Sequence, residues 1–213
     1  VECSSTEMYI TPDGEKMFVV GSDGDDVDEF TLGTPFVVST ATYVDSFSIA
    51  TQETNPTGIS FSPNGLKMFV VGTTGDDINE YTLGTAFDVS TASFVDSFSV
   101  ASEDTTPAGV TFSPDGTKMF VVGQISDSVN EYTLGTAFDV STASFVDSFS
   151  VVSESDRPSG VAFTSDGLSM FISDQSFGTS RHVYQYSLSS PFDVSTASYF
   201  DRLVGVYAGV FVS

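Results

Sequence analysis

The chain has 213 residues, of which 40% are hydrophobic and 13% aromatic, a composition that excludes an intrinsically disordered protein. Six basic residues stand against 29 acidic ones, and the formal charge of −23 disfavours binding to nucleic acid or to anionic lipid. Cys3 is the only cysteine and His182 the only histidine, which excludes an intrachain disulfide and a Cys/His zinc site. No run of 18 apolar residues is present, so the sequence predicts no membrane insertion.

A block of 51 residues recurs along the whole chain. Its turn glycines are Gly14, Gly65, Gly116 and Gly167, and each lies 51 residues after the last. The second copy predicts four short strands in order: Gly58–Ser62, Lys67–Val71, Asp77–Leu83 and Phe94–Val100. The first two strands are joined by Pro63-Asn64-Gly65, which has the proline and glycine of a tight turn.

Four antiparallel strands in a repeat of this length are typical of a β-propeller blade. The segment from Phe112 to Val121, Phe-Ser-Pro-Asp-Gly-Thr-Lys-Met-Phe-Val, resembles the WD-like repeats of the TolB-like and YVTN-type propeller families. The resemblance covers essentially the whole chain and implies a propeller fold. It indicates little about chemistry, because such propellers include enzymes, scaffolds and binding modules.

The sequence therefore predicts an all-β, single-domain protein over residues 1–213: a β-propeller of four four-stranded blades plus an extra C-terminal strand. The predicted blades cover residues 6–49, 57–100, 108–152 and 159–206, and the extra strand covers 207–213. This strand resembles the first strand of the third blade. It could close the ring, add to the edge of a neighbouring subunit, or continue into a longer chain, and the sequence leaves these alternatives open.

Acidic residues recur in the loops that the propeller resemblance places on one face. Clustered carboxylates repel one another, and a hard cation would relieve that repulsion. Calcium is thus the one cofactor that the sequence suggests, although no EF-hand spacing is present. The candidate ligands are Asp25, Asp26, Asp76, Asp77 and Asp127. The alternative is an acidic face that is only solvated.

The fourth repeat departs from the others, because its loop between the second and third strands is three residues longer. Arg181 and His182 lie in this region, where earlier repeats carry aspartates. We expect these two residues to form an interface with a neighbouring subunit, together with residues of the C-terminal strand: Val206, Tyr207, Val210, Phe211 and Val212. The alternative is that a terminal repeat diverges because its neighbour differs.

No catalytic residue is predicted. The acids and Lys16, Lys67 and Lys118 recur at equivalent positions, whereas an active site usually breaks such symmetry. The leading hypothesis is therefore a secreted, non-enzymatic structural propeller, located outside the cell or on a cell or virion surface, that forms a homo-oligomer or filament through its C-terminal strand. The alternatives are a propeller that binds a glycan, cation or basic peptide on its acidic face and, third, an enzyme of lactonase or lyase type.

Overall fold

The computed structural model describes residues 4–175 and 182–204. These residues form four antiparallel four-stranded sheets, each with its strands in chain order. The first blade contains Ser5–Ile10, Lys16–Gly21, Asp26–Leu32 and Ala41–Ser48 (β1–β4). The second contains Pro56–Phe61, Lys67–Gly72, Asp77–Leu83 and Ala92–Ser99 (β5–β8). The third contains Pro107–Phe112, Lys118–Gly123, Ser128–Leu134 and Ala143–Ser150 (β9–β12). The fourth contains Pro158–Phe163, Ser169–Asp174, His182–Leu188 and Ala197–Val204 (β13–β16).

The arrangement confirms the predicted fold class, an all-β propeller with four four-stranded blades. The predicted extra C-terminal strand, residues 207–213, lies outside the described residues. The helices of the described part are three-residue 3₁₀ turns between the third and fourth strands of each blade, far too short to span a membrane.

Each turn glycine makes room for an aromatic ring from the same blade. Gly65 has a φ of 70°, and a Cβ added there would lie 2.3 Å from the ring of Phe87. The N–H of Phe87 donates to the carbonyl of Gly65 at 2.9 Å, which closes the turn against the 3₁₀ segment. The same glycine–phenylalanine pair recurs in all four blades, so a side chain at this glycine would disrupt both the turn and its ring contact.

Hydrophobic clusters hold successive blades together. One cluster joins the first and second blades, another the second and third, and another the third and fourth. Each contains a pair of phenylalanine rings from the two blades, with ring centroids 4.3–4.5 Å apart: Phe18–Phe61, Phe69–Phe112 and Phe120–Phe163. Within the described ranges, no such cluster joins the fourth blade to the first.

A lysine–glutamate pair reinforces each of these three junctions. In the second blade, the Lys67 ammonium lies 2.6 Å from the Glu80 carboxylate. The lysine also donates to the Phe138 carbonyl of the third blade at 2.7 Å, and Glu80 accepts from the Val140 N–H at 2.9 Å. We name this arrangement the interblade clamp. The first and third blades form it with Lys16–Glu29 and Lys118–Glu131.

Candidate functional site

The innermost strands of three blades carry a glycine at one repeat position, and the first blade carries a glutamate there. The glycines are Gly58, Gly109 and Gly160, and the residue 51 positions before Gly58 is Glu7. A Cβ on Gly109 would lie 3.3 Å from the Cα of Gly160, so glycine lets neighbouring inner strands approach closely. Glu7 therefore breaks the repeat symmetry beside the propeller axis.

The Glu7 side chain reaches from the first blade to the inner edge of the second. Its Oε2 accepts the Ile59 N–H at 2.8 Å, and a Cβ on Gly58 would lie 2.6 Å from the same oxygen. Burial raises the pKa of the Glu7 carboxyl to about 7, although the hydrogen bond from Ile59 opposes the rise. At neutral pH this carboxyl exchanges protons readily, as a general acid or base must.

Two adjoining cavities lie along the fourth blade, and Glu7 lines one of them. The first has a volume of about 250 Å³ and is lined by Glu7 and, from the fourth blade, by Gly160, Val161, Ala162, Phe171, Ser173 and Val183. The second has a volume of about 360 Å³ and shares Ser173 and Val183 with the first. Its further lining residues are Ser159, Asp174, Gln175, His182 and Leu203. We name this pair of cavities the axial groove.

The fourth-blade wall of the groove carries a polar cluster with no equivalent in the other blades. Buried Asp174 accepts from the Ser155 hydroxyl at 2.7 Å, and its other carboxylate oxygen lies 3.8 Å from Nδ1 of His182. The hydroxyls of Ser159 and Ser173 lie 3.0 Å apart. The His182 ring stacks on Tyr184 with centroids 5.4 Å apart. These residues place hydroxyls, a carboxylate and an imidazole around one cavity.

An exchange of residues between repeats explains the position of Asp174. In the second blade, Gly72 makes room for the buried carboxylate of Glu53, which accepts the N–H groups of Thr74 and Gly75. In the fourth blade Ser155 replaces the loop acid and Asp174 replaces the glycine. The fourth blade thus also has a buried carboxylate here, but Asp174 supplies it from the second strand instead of the loop. This position brings the carboxylate to 3.8 Å from Nδ1 of His182.

The five aspartates predicted as calcium ligands lie at the same loops of three blades. Asp25, Asp76 and Asp127 have φ values of 50°, 49° and 46°, a conformation that aspartate tolerates better than most residues. Their carbonyls accept the N–H groups of Ile49, Val100 and Val151, so they shape the turn.

The neighbouring positions are strand ends. Asp26 and Asp77 begin the third strands, and Asp77 accepts from the Asn79 amide at 2.7 Å. Within the described residues, no three potential ligands converge on a metal position. Calcium binding at these aspartates stays a prediction.

Most of the predicted interface residues lie outside the described residues. These are Arg181, Val206, Tyr207, Val210, Phe211 and Val212. His182 is described, and it lines the axial groove beside Asp174.

Sequence reasoning missed Glu7 and the polar cluster around Asp174. The signal was present in the repeat itself, because Glu7 stands where three repeats have glycine and Asp174 where Gly21, Gly72 and Gly123 stand. Both acids depart from the repeat, and both lie in or beside the axial groove.

Comparison with solved structures shows the propeller fold. A proposed 6-phosphogluconolactonase from Bacteroides uniformis matches with a TM-score of 0.63 at 14% identity, over 93% of this chain and 57% of the other. The Pseudomonas aeruginosa periplasmic gluconolactonase PpgL matches with a TM-score of 0.56 at 15% identity, over 93% and 53%. A protein of unknown function from Desulfotomaculum acetoxidans matches with a TM-score of 0.59 at 14% identity, over 94% and 70%. The chain thus spans little more than half the length of these two lactonases.

No protein-family model and no curated protein matches the chain, so the resemblance to the TolB-like and YVTN-type families is supported at the level of the propeller fold. The predicted role as a structural, self-assembling protein is wrong, because three of the similar solved structures are named as a gluconolactonase or as proposed 6-phosphogluconolactonases. These names also count mildly against the prediction of a non-enzyme.

Proposed function

We propose that the axial groove binds and hydrolyses an uncharged cyclic ester, a lactone of the sugar-acid type, with Glu7 as the general base. The observation that carries this proposal is a carboxyl with a pKa of about 7 in a cavity beside the axis. The names of the structural neighbours support the reaction class.

The chemistry requires a base and a donor for the developing oxyanion. The Glu7 carboxylate takes a proton from water, and the resulting hydroxide equivalent attacks the ring carbonyl carbon. The ring C–O bond then breaks, and the proton passes to the leaving alkoxide, which gives the open hydroxy acid. Water and lactone are the only reactants, so the step balances without a cofactor.

A backbone N–H of the fourth blade is the candidate oxyanion donor. Val161 lies two repeats after Ile59, whose N–H turns away from β6 to reach Glu7. Val161 lies opposite Ile172 on β14, just as Ile59 lies opposite Val70 on β6. Because the two positions share this register, the Val161 N–H points away from β14, as the Ile59 N–H points away from β6. Because Val161 lines the cavity that contains Glu7, base and donor face one space.

The charge of the chain selects among lactones. A formal charge of −23 repels a phosphorylated substrate, so we propose that the substrate carries no phosphate. The same charge repels the carboxylate product and favours its release. The hydroxyls of Ser159 and Ser173 and the carboxylate of Asp174 supply hydrogen-bonding partners for a polyhydroxylated ring.

The test measures hydrolysis of glucono-1,5-lactone and of its 6-phosphate, each corrected for spontaneous hydrolysis. We expect turnover of the neutral lactone, little turnover of the phosphate, and a loss of about 10²–10⁴-fold in kcat/KM for Glu7→Gln. Glu15→Gln, which changes an exposed acid of the same blade, is the matched control and should keep full activity. Equal activity of the Glu7→Gln variant, or no turnover by the unaltered chain, would overturn the proposal.

A further inference from the structure

The first blade has a face that is more exposed than the equivalent face of the other blades. Phe36 and Val38 are 62% and 56% exposed, whereas the equivalents of Val38, namely Val89, Val140 and Val194, are fully buried. Met8 is 58% exposed, and its equivalent Ile59 is buried. We name this surface, formed by Met8, Ile10, Met17, Phe36 and Val38, the first-blade face.

The first-blade face also presents the backbone half of an interblade clamp. In the second blade the Phe87 carbonyl accepts from Lys16, and the Val89 N–H donates to Glu29. The corresponding groups in the first blade are the carbonyl of Phe36 and the N–H of Val38. Neither has a hydrogen-bond partner among the described residues.

The substitutions on this face are those of a docking surface. An end repeat that faces water normally carries polar residues on its outer side. Here Val37 replaces the aspartate of the other three blades, and Phe30 replaces their tyrosine. Each of these two changes replaces a polar side chain beside the first-blade face by an apolar one.

The fourth blade shows the opposite pattern on its outer face. Ser169 replaces the clamp lysine and Gln185 the clamp glutamate, and Ser173 replaces a valine. This face therefore has neither charge of a clamp, and it cannot supply one to the first blade of a second copy.

We propose that the first-blade face docks a further blade of this repeat type, whose own lysine and glutamate hold the Phe36 carbonyl and the Val38 N–H. Three junctions of the same geometry within the chain support the complementarity in shape and charge. Docking at the first-blade face does not depend on whether Glu7 is catalytic.

The experiment supplies such a blade by fusion. A copy of residues 56–106 joined directly before Ser5 keeps the 51-residue register. The matched control is the same fusion with Lys67→Met and Glu80→Gln in the added copy alone. Hydrogen exchange of the Val38 amide is measured in both fusions and in the unfused chain, over a range of protein concentrations.

We expect exchange at Val38 to slow at least tenfold in the fusion with the clamp, and by much less in the control. A second fusion with residues 107–157, which carry Lys118 and Glu131, should act like the first. Equal exchange in all chains, including the case in which the added repeat stays unfolded, would overturn the proposal. Slower exchange of the unfused chain at high concentration would also overturn it, because a second copy would then be the partner.

Discussion

At the scale of single residues, the candidate site lies where the repeat is broken. Glu7 puts a carboxyl where three blades have glycine, and Asp174 puts another where three blades have glycine on the second strand. Both acids lie in or beside the axial groove. The recurring acids Glu29, Glu80 and Glu131 instead pair with lysines in the interblade clamps.

The raised pKa of Glu7 makes stability depend on pH. The folded chain binds this proton up to about pH 7, whereas an unfolded glutamate releases it near pH 4.5. The contribution of the Glu7 proton to the free energy of unfolding is therefore complete below pH 4.5, and it is lost as the pH rises to 7. Urea unfolding at several pH values should show the free energy of unfolding falling over this interval relative to Glu7→Gln. A parallel dependence in both chains would contradict the assignment, and Glu15→Gln should behave like the unaltered chain.

At the scale of elements, tight turns and clamps fix the blades. The positive φ of each turn glycine, the phenylalanine ring above it and the clamp that holds the following blade form one connected unit. The turn could be predicted from Pro63-Asn64-Gly65, because that chemistry is local. The clamp could not, because it joins residues about 70 positions apart.

The turn predicts a large difference between two glycines of the second blade. Gly65→Ala should lower the free energy of unfolding by at least about 1–2 kcal/mol, the cost of a positive φ, with more from displacing Phe87. Gly84→Ala is the control, since its Cβ would meet Thr91 only at ordinary contact distance, 3.5 Å. Chemical denaturation of both variants measures the difference. Equal losses in the free energy of unfolding would contradict the prediction, because the positive φ of Gly65 and its contact with Phe87 would then add no cost.

The clamp predicts a strongly non-additive pair of substitutions. Lys67→Met leaves the buried Glu80 carboxylate without its ammonium partner and should cost about 3 kcal/mol. The double variant Lys67→Met/Glu80→Gln should cost less than the sum of the two single changes, because no charge is then stranded. A double-mutant cycle by urea unfolding measures the coupling, and simple additivity would mean that the two groups act independently.

At the scale of the whole molecule, the propeller could be predicted from sequence, because the 51-residue repeat and its turn chemistry specify the blade. The proposed function could not be predicted from it. The recurrence of the acids and lysines favours a scaffold, whereas the cavity beside Glu7 is completed by residues of the fourth blade, which no local pattern of the sequence indicates. The extracellular location, the homo-oligomer and the calcium ligands stay predictions.

The charge of −23 gives a prediction at this scale. Like charges on one compact chain repel, and salt screens them, so raising sodium chloride from about 10 to 150 mM should raise the Tm. Calcium chloride at matched ionic strength separates screening from binding. The predicted aspartate sites require an additional rise in Tm with calcium, and Asp76→Asn/Asp77→Asn, which changes one of the three blades, should reduce that rise. A Tm that falls with sodium chloride would contradict net self-repulsion.

The state of the Glu7 carboxyl supports both the groove and the proposed chemistry, and it can be observed directly. The measurement is a titration of the ¹³C resonance of its side-chain carboxyl by NMR, assigned by comparison with Glu7→Gln. We predict a midpoint near pH 7, well above that of an exposed glutamate. A midpoint near 4.5 would contradict it, because Glu7 would then be an ordinary solvated acid.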